Sequence, residues 1–228
     1  MLLDLSADRI ARIATVILSV LEIAPVVFAS MGLFFLSRLI DRLDPRSGRM
    51  AKAAWALVTF GALSHAAWRV ARAVLGIDLD PFATAPLVFC APGLALLSAG
   101  LARAWAAVHS RVIRQDPWLA PIALGWLALL GAFYLHGSMG GEMWRLPLLA
   151  LIVSAAATIS FFSAALGWRL RLHMAAVLFA ANLAAAAALA AVAAFPGSPL
   201  LLRFIVETLH AVSEAAFAIA AWRTAVEY

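Results

Sequence analysis

The stretch LPLLALIVSAAATISFFSAALG, residues 146–167, runs for 22 residues without a single ionisable side chain. A helix needs about 20 mostly apolar residues to cross the hydrocarbon core of a bilayer, whereas apolar runs of about 10–14 residues fit the core of a soluble protein. The stretch therefore predicts a membrane-spanning α-helix.

The composition of the whole chain is also strongly apolar. Of its 228 residues, 65% are apolar and 13% are charged, and the mean hydropathy is +0.98. Soluble domains carry roughly 45–50% apolar and about 25% charged residues. We therefore expect an integral membrane protein that forms one transmembrane domain over residues 1–228, with no soluble domain and with the lipid bilayer as its main partner.

Six further stretches are long and apolar enough to span, and the breaks between them are short and rich in charged or turn residues. The sequence predicts an all-α integral membrane protein, a bundle of seven transmembrane helices. The expected spans are approximately 12–37, 53–75, 83–107, 118–136, 146–167, 173–195 and 200–223.

The basic residues indicate how such a bundle would be oriented. The chain has a pI near 10.6, but its arginines lie at the ends of apolar segments and form no polar domain, which argues against nucleic acid as a partner. Most of the 17 basic residues fall on one side of the predicted bundle, and Lys/Arg-rich loops normally stay in the cytoplasm. We expect a multi-pass protein of the cell inner membrane, with the N-terminus outside and the C-terminus inside.

Ionisable residues in the interiors of the predicted spans lie almost entirely on three helices; the third span adds only Cys90, with Arg103 close to its cytoplasmic end. A charged side chain deep in a bilayer costs about 2.5–3.5 kcal/mol on insertion scales, so such residues normally face the bundle interior and have a function. The fourth, fifth and sixth spans carry none in their interiors. The residues concerned are Glu22 in the first span, His65, Arg69 and Arg72 in the second, and Arg203, Glu207, His210 and Glu214 in the seventh.

Helical geometry groups these residues further. At about 100° per residue, Glu207, His210 and Glu214 share one stripe, and His65, Arg69 and Arg72 share another. If the seven helices close into a ring, the first helix adjoins both the second and the seventh. We expect a polar intramembrane cavity between these three helices, in which Arg69 could pair with Glu207. A purely structural alternative is that such ion pairs only fix the register of the helices.

One hypothesis for this cavity is a metal site. His65, His210 and Glu214 could hold zinc or another divalent metal and leave an open position for water, while Glu22 or Glu207 would act as the proton-handling catalytic residue. Glu207-x-x-His210 also has the spacing used in di-iron bundles, but only one such motif is present.

The histidine positions resemble the metal site of the seven-helix superfamily that contains adiponectin-receptor-like proteins and alkaline ceramidases. Ser64-His65 and His210-x-x-x-Glu214 match that pattern, with Glu214 in the place of its last histidine. The acidic residue of the third helix is missing, and Gly61 replaces the serine that precedes the second-helix histidine by one turn. The resemblance implies a zinc-dependent membrane hydrolase acting on a lipid-like amide or ester.

Two other hypotheses use the same residues. A histidine beside carboxylates could respond to protons or a small ligand, in a sensor or receptor that signals through a partner membrane protein, or in a transport-related site. Alternatively, His65 and His210 could ligate haem, with Arg69, Arg72 and Arg203 pairing with propionates. Retinal is not expected, because the only lysine, Lys52, lies at a helix end. The leading hypothesis is binding of a metal ion, proton or small ligand.

Overall fold

The computed structural model describes residues 13–193 and 200–228, apart from positions 15, 19, 22, 79, 112, 114 and 140, and apart from the side chains at 80, 81, 190, 193, 200, 201 and 203. Within this described part the regular structure is entirely α-helical. Seven helices follow one another along the chain: α1 Ile23–Leu43, α2 Pro45–Leu75, α3 Asp80–Val108, α4 Leu119–Met139, α5 Arg145–Arg169, α6 His173–Ala193 and α7 Leu200–Glu227. The prediction of an all-α, seven-helix fold is confirmed.

The predicted spans 12–37 and 53–75 leave a loop between residues 37 and 53, and this prediction is wrong. Helix α1 continues to Leu43 and α2 begins at Pro45, so that Asp44 alone separates the two helices. Proline is favoured in the first turn of a helix because it has no N–H to leave unpaired. Arginine and lysine are good helix formers, so a charged segment can extend a helix past its apolar part. At its far end α2 stops at Gly76, which has a φ of 68° and donates its N–H to the Arg72 carbonyl.

The helices pack in a ring in which α1 lies between α2 and α7. From α2 the ring continues through α3, α5 and α6 back to α7, while α4 packs on α3 and α5 from outside. The expected neighbours of α1 are therefore confirmed. In the described part of the chain, however, α2 and α7 form no packing interface with each other.

Small residues allow the closest approaches between helices, as is usual in membrane bundles. Gly32 of α1 lies against α7, and a Cβ atom added there would lie 2.5 Å from Cε1 of Phe217. Gly61 of α2 lies in the same way against Phe89 of α3, where a Cβ atom would come within 2.9 Å. Leu36, Leu39 and other fully buried side chains fill the core between these contacts.

Five of the helices are long and apolar enough to cross a membrane. The segments are Val16–Leu43, Phe82–Val108, Leu119–Met139, Arg145–Arg169 and Phe204–Glu227, and α6 adds the shorter apolar segment His173–Leu189. Helix α2 is not among these segments; Lys52, His65, Arg69 and Arg72 lower its hydropathy. The fold is thus that of a helical protein with several membrane-spanning candidates.

One end of the bundle is tied together by basic side chains. Arg103 of α3 reaches Asp44 between α1 and α2, Arg42 of α1 donates to the carbonyl of Ala225 of α7, and Arg223 of α7 contacts Met174 of α6. We call this the basic end. The helices α1, α3, α5 and α7 finish there.

Candidate functional site

Three ionisable side chains meet on one face of α7. Nδ1 of His210 lies 4.0 Å from Oε2 of Glu207, and Nε2 of the same ring lies 3.8 Å from Oε1 of Glu214. The residues are three and four positions apart, the spacing at which side chains on a helix become neighbours. The stripe predicted for α7 therefore exists as a cluster, which we call the α7 triad.

The His210 ring lies between the two carboxylates. A neutral histidine carries one N–H and an unprotonated nitrogen, whereas the imidazolium carries two N–H groups. At 4.0 and 3.8 Å the two contacts are longer than hydrogen bonds, and they are ion pairs only when the ring is the imidazolium. The two glutamate side chains are 22% and 21% exposed, and the histidine is 47% exposed, so His210 is the most accessible member of the triad.

The helices beside α7 contribute polarity without charge near the triad. Asn182 of α6 is buried and donates to the hydroxyl of Ser213 at 2.9 Å and to its carbonyl at 3.0 Å. The Asn182 side chain also contacts Glu214. In the described parts of α1 and α6, the charged residues lie only towards the basic end, away from the triad. Among the described residues of α1, α6 and α7, the triad therefore supplies the charge in this region by itself.

His65 does not belong to the triad. Its ring packs on Trp68 of its own helix, with 5.3 Å between the centroids, and it lies beside the backbone of Ala83 at the start of α3. Among the described residues, its buried Nδ1 finds no hydrogen-bond partner. The side chain thus faces the α2–α3 contact, because α3 is the neighbour that covers this face of α2.

The predicted arginines are placed differently from the triad as well. Arg72 lies over the ring of Trp68 and is 3.6 Å from Oδ2 of Asp78, in the connection after α2. Arg69 is exposed on the same helix. The expected pair between Arg69 and Glu207 would need α2 and α7 to pack together, and in the described part of the chain they do not. Glu22 and the side chain of Arg203 lie outside the described residues.

The described histidine, cysteine and acidic side chains form no group of three that could hold a metal ion. The set predicted for zinc, His65 with His210 and Glu214, is divided between α2 and α7. The same division separates the two histidines predicted for haem. Of the predicted site residues, the structure therefore joins Glu207, His210 and Glu214 and leaves His65, Arg69 and Arg72 elsewhere.

Sequence reasoning missed a second polar cluster, at the basic end. Nε of Arg103 donates to Oδ2 of Asp44 and to Oγ of Ser47, both at 3.0 Å, and Ser47 donates to the same carboxylate at 2.7 Å. Arg103 also donates to the carbonyls of Gln115 at 3.0 Å and Ile113 at 3.1 Å. The sequence carried a signal for this cluster: Asp44 directly precedes Pro45, and Arg103 is a single arginine inside the third predicted span.

Fold and site together define a helical bundle that has five helices long and apolar enough to cross a membrane and an acidic–histidine cluster on its last described helix. No protein-family model, no curated protein and no solved structure matches this chain.

Proposed function

We propose that this chain is a multi-pass protein of the inner membrane that binds a proton or a small cation at the α7 triad. The observation that carries the proposal is the position of the His210 ring, with one carboxylate oxygen at 4.0 Å from Nδ1 and another at 3.8 Å from Nε2. Intramembrane ionisable residues are functional by default, because lipid makes them expensive to keep. The five apolar helices support the membrane location.

Proton binding at this site would change the charge of a helix that packs on both α1 and α6. Protonation of the His210 ring adds one positive charge to the triad. A charge change inside the bundle alters the free energy of packing α7 against its neighbours, which is how histidine clusters act as pH switches. This fits a sensor that signals through a partner membrane protein, or a transport-related protein.

The test uses protein with ¹⁵N-labelled histidine in lipid nanodiscs, because ring nitrogen shifts distinguish the imidazolium from the neutral tautomers. The signal of His210 is assigned by its loss in His210→Gln, and its protonated fraction is compared between proteins at the same pH. In the double variant Glu207→Gln/Glu214→Gln the protonated fraction should fall. His136, exposed in the last turn of α4, provides the control, since its signal should be the same in both proteins. An unchanged protonated fraction of His210 in the double variant would refute proton binding at the triad.

Metal analysis of the same purified protein separates the cation alternatives. Stoichiometric zinc that is lost in His210→Ala and kept in His136→Ala would make a metal ion the natural ligand. The hydrolase and haem hypotheses both require His65 and His210 to share one ligand. We favour proton binding over them because the helices that carry these two residues pack on different neighbours.

A further inference from the structure

A cavity of about 580 Å³ opens at the basic end, between the α1–α2 corner and the segment that follows α3. Its volume lies in the range of about 300–1,000 Å³ that is typical of small-molecule sites. Three arginines contribute to its wall. The lining residues are Asp44, Pro45, Arg46, Arg103, Ala107, Ser110, Arg111 and Ile113.

The wall of this cavity is fixed in place by Arg103. Its guanidinium is held by Asp44, Ser47 and two backbone carbonyls, and the residue is only 9% exposed. Since its ion pair with Asp44 at 3.0 Å cancels both charges, Arg103 shapes the cavity and adds no net charge to it.

The other two arginines give the cavity its charge. Arg46 and Arg111 are exposed, and neither has an ion-pair partner among the residues that the structure describes. They leave the cavity with a net charge of about +2, because Asp44 is neutralised by Arg103. Arginine's planar group of N–H donors matches the oxygens of a phosphate group and binds them in pairs, so this wall suits a phosphate-bearing anion.

From this geometry we propose that the cavity binds the phosphate group of an anionic molecule, between Arg46 and Arg111. Basic clusters next to the membrane attract anionic lipid headgroups, so the phosphate can belong to a lipid, and free phosphate offers the same oxygens. The proposal concerns the opposite end of α1 from the α7 triad and does not depend on it.

The experiment measures binding of two probes, inorganic phosphate and soluble dihexanoyl-phosphatidylglycerol, to protein in phosphatidylcholine nanodiscs by calorimetry. A hydrogen bond from a charged donor to the phosphate contributes at least about tenfold in affinity, so Arg46→Gln/Arg111→Gln, which removes the direct donors, should bind at least about tenfold more weakly. The matched control is Arg49→Gln/Arg169→Gln, which removes two exposed charges at the basic end but outside the cavity. It should retain wild-type affinity.

Binding of both probes, with loss only in the cavity variant, identifies a site for the phosphate group itself. Binding of the lipid probe alone, with the same loss, identifies the lipid headgroup as its source. The proposal is overturned if the wild-type protein binds neither probe, if the cavity variant binds as the wild type does, or if the control loses as much affinity. Thermal unfolding of the cavity variant should match that of the wild type, since neither side chain holds the fold together.

Discussion

Replacing Arg103 by methionine removes the hydrogen bonds that join α3 to the α1–α2 corner and to the segment after α3. Methionine keeps much of the apolar stem of the arginine but is shorter, and it removes the charge and the donors. The change leaves Asp44, whose side chain is 15% exposed, with the Ser47 hydroxyl as its described partner. It also leaves the carbonyls of Ile113 and Gln115 without their donor.

The expected cost follows from burial. Removing one partner of a buried ion pair costs about 3–5 kcal/mol, because the remaining charge is left in a low-dielectric setting. Both side chains here are nearly buried, at 10% and 15% exposed, so this range applies. Water can reach the two freed carbonyls on the exposed segment after α3, which places the expected loss at the lower end, about 3 kcal/mol.

The assay is urea unfolding in detergent micelles, with the free energy of unfolding compared between variants. Arg223→Met is the matched control, because its ion pair with Glu227 at 2.8 Å also lies at the basic end but is 36% and 38% exposed. A surface pair of this kind contributes about 0–1 kcal/mol.

The double variant Asp44→Asn/Arg103→Met completes a mutant cycle. It should recover part of the loss, because the unpaired carboxylate is gone. The reasoning would be refuted if Arg103→Met cost no more than Arg223→Met, or if the cycle gave a coupling free energy below about 0.5 kcal/mol, the level at which independent sites simply add.

Two further substitutions test contacts on α7. Gly32→Ala should destabilise the bundle by about 1–3 kcal/mol in thermal unfolding, because its Cβ would collide with Phe217, whereas Gly137→Ala, with open space around it, should cost nothing. Asn182→Leu removes the buried hydrogen bonds to Ser213 and should lower the free energy of unfolding by about 0.6 kcal/mol and by no more than about 1.7 kcal/mol, the average and the maximum for hydrogen bonds between membrane helices; no measurable loss would mean that the α6–α7 contact does not depend on them.

The helices could be predicted from the sequence because apolar length is a local property. An apolar stretch such as 146–167 predicts a helix regardless of which other helices pack against it, and α5 does extend from Arg145 to Arg169. The α7 triad was predictable for the same reason, since a spacing of three and four residues fixes which side chains share a helical face.

What could not be predicted depends on which helices touch. His65 and His210 occupy suitable faces of their own helices, yet the ring places α3 beside α2 and α6 beside α7. A helical wheel gives the direction of a side chain but not the identity of the helix in front of it. Arg103 was overlooked because its partner, Asp44, lies 59 residues away in the chain and becomes its neighbour only through the one-residue corner between α1 and α2.

That corner has a mechanical consequence. Because only Asp44 separates α1 from α2, the two helices cannot slide along each other at this end. Arg103 of α3 donates to Asp44, so α3 is fixed to the same corner, and we call the three helices the α1–α2–α3 block. Helix α7 is attached to this block as well, through the close contact at Gly32 and through Arg42 of α1, and it meets α6 through Asn182. A displacement of α7 would therefore act on the α1–α2–α3 block through α1.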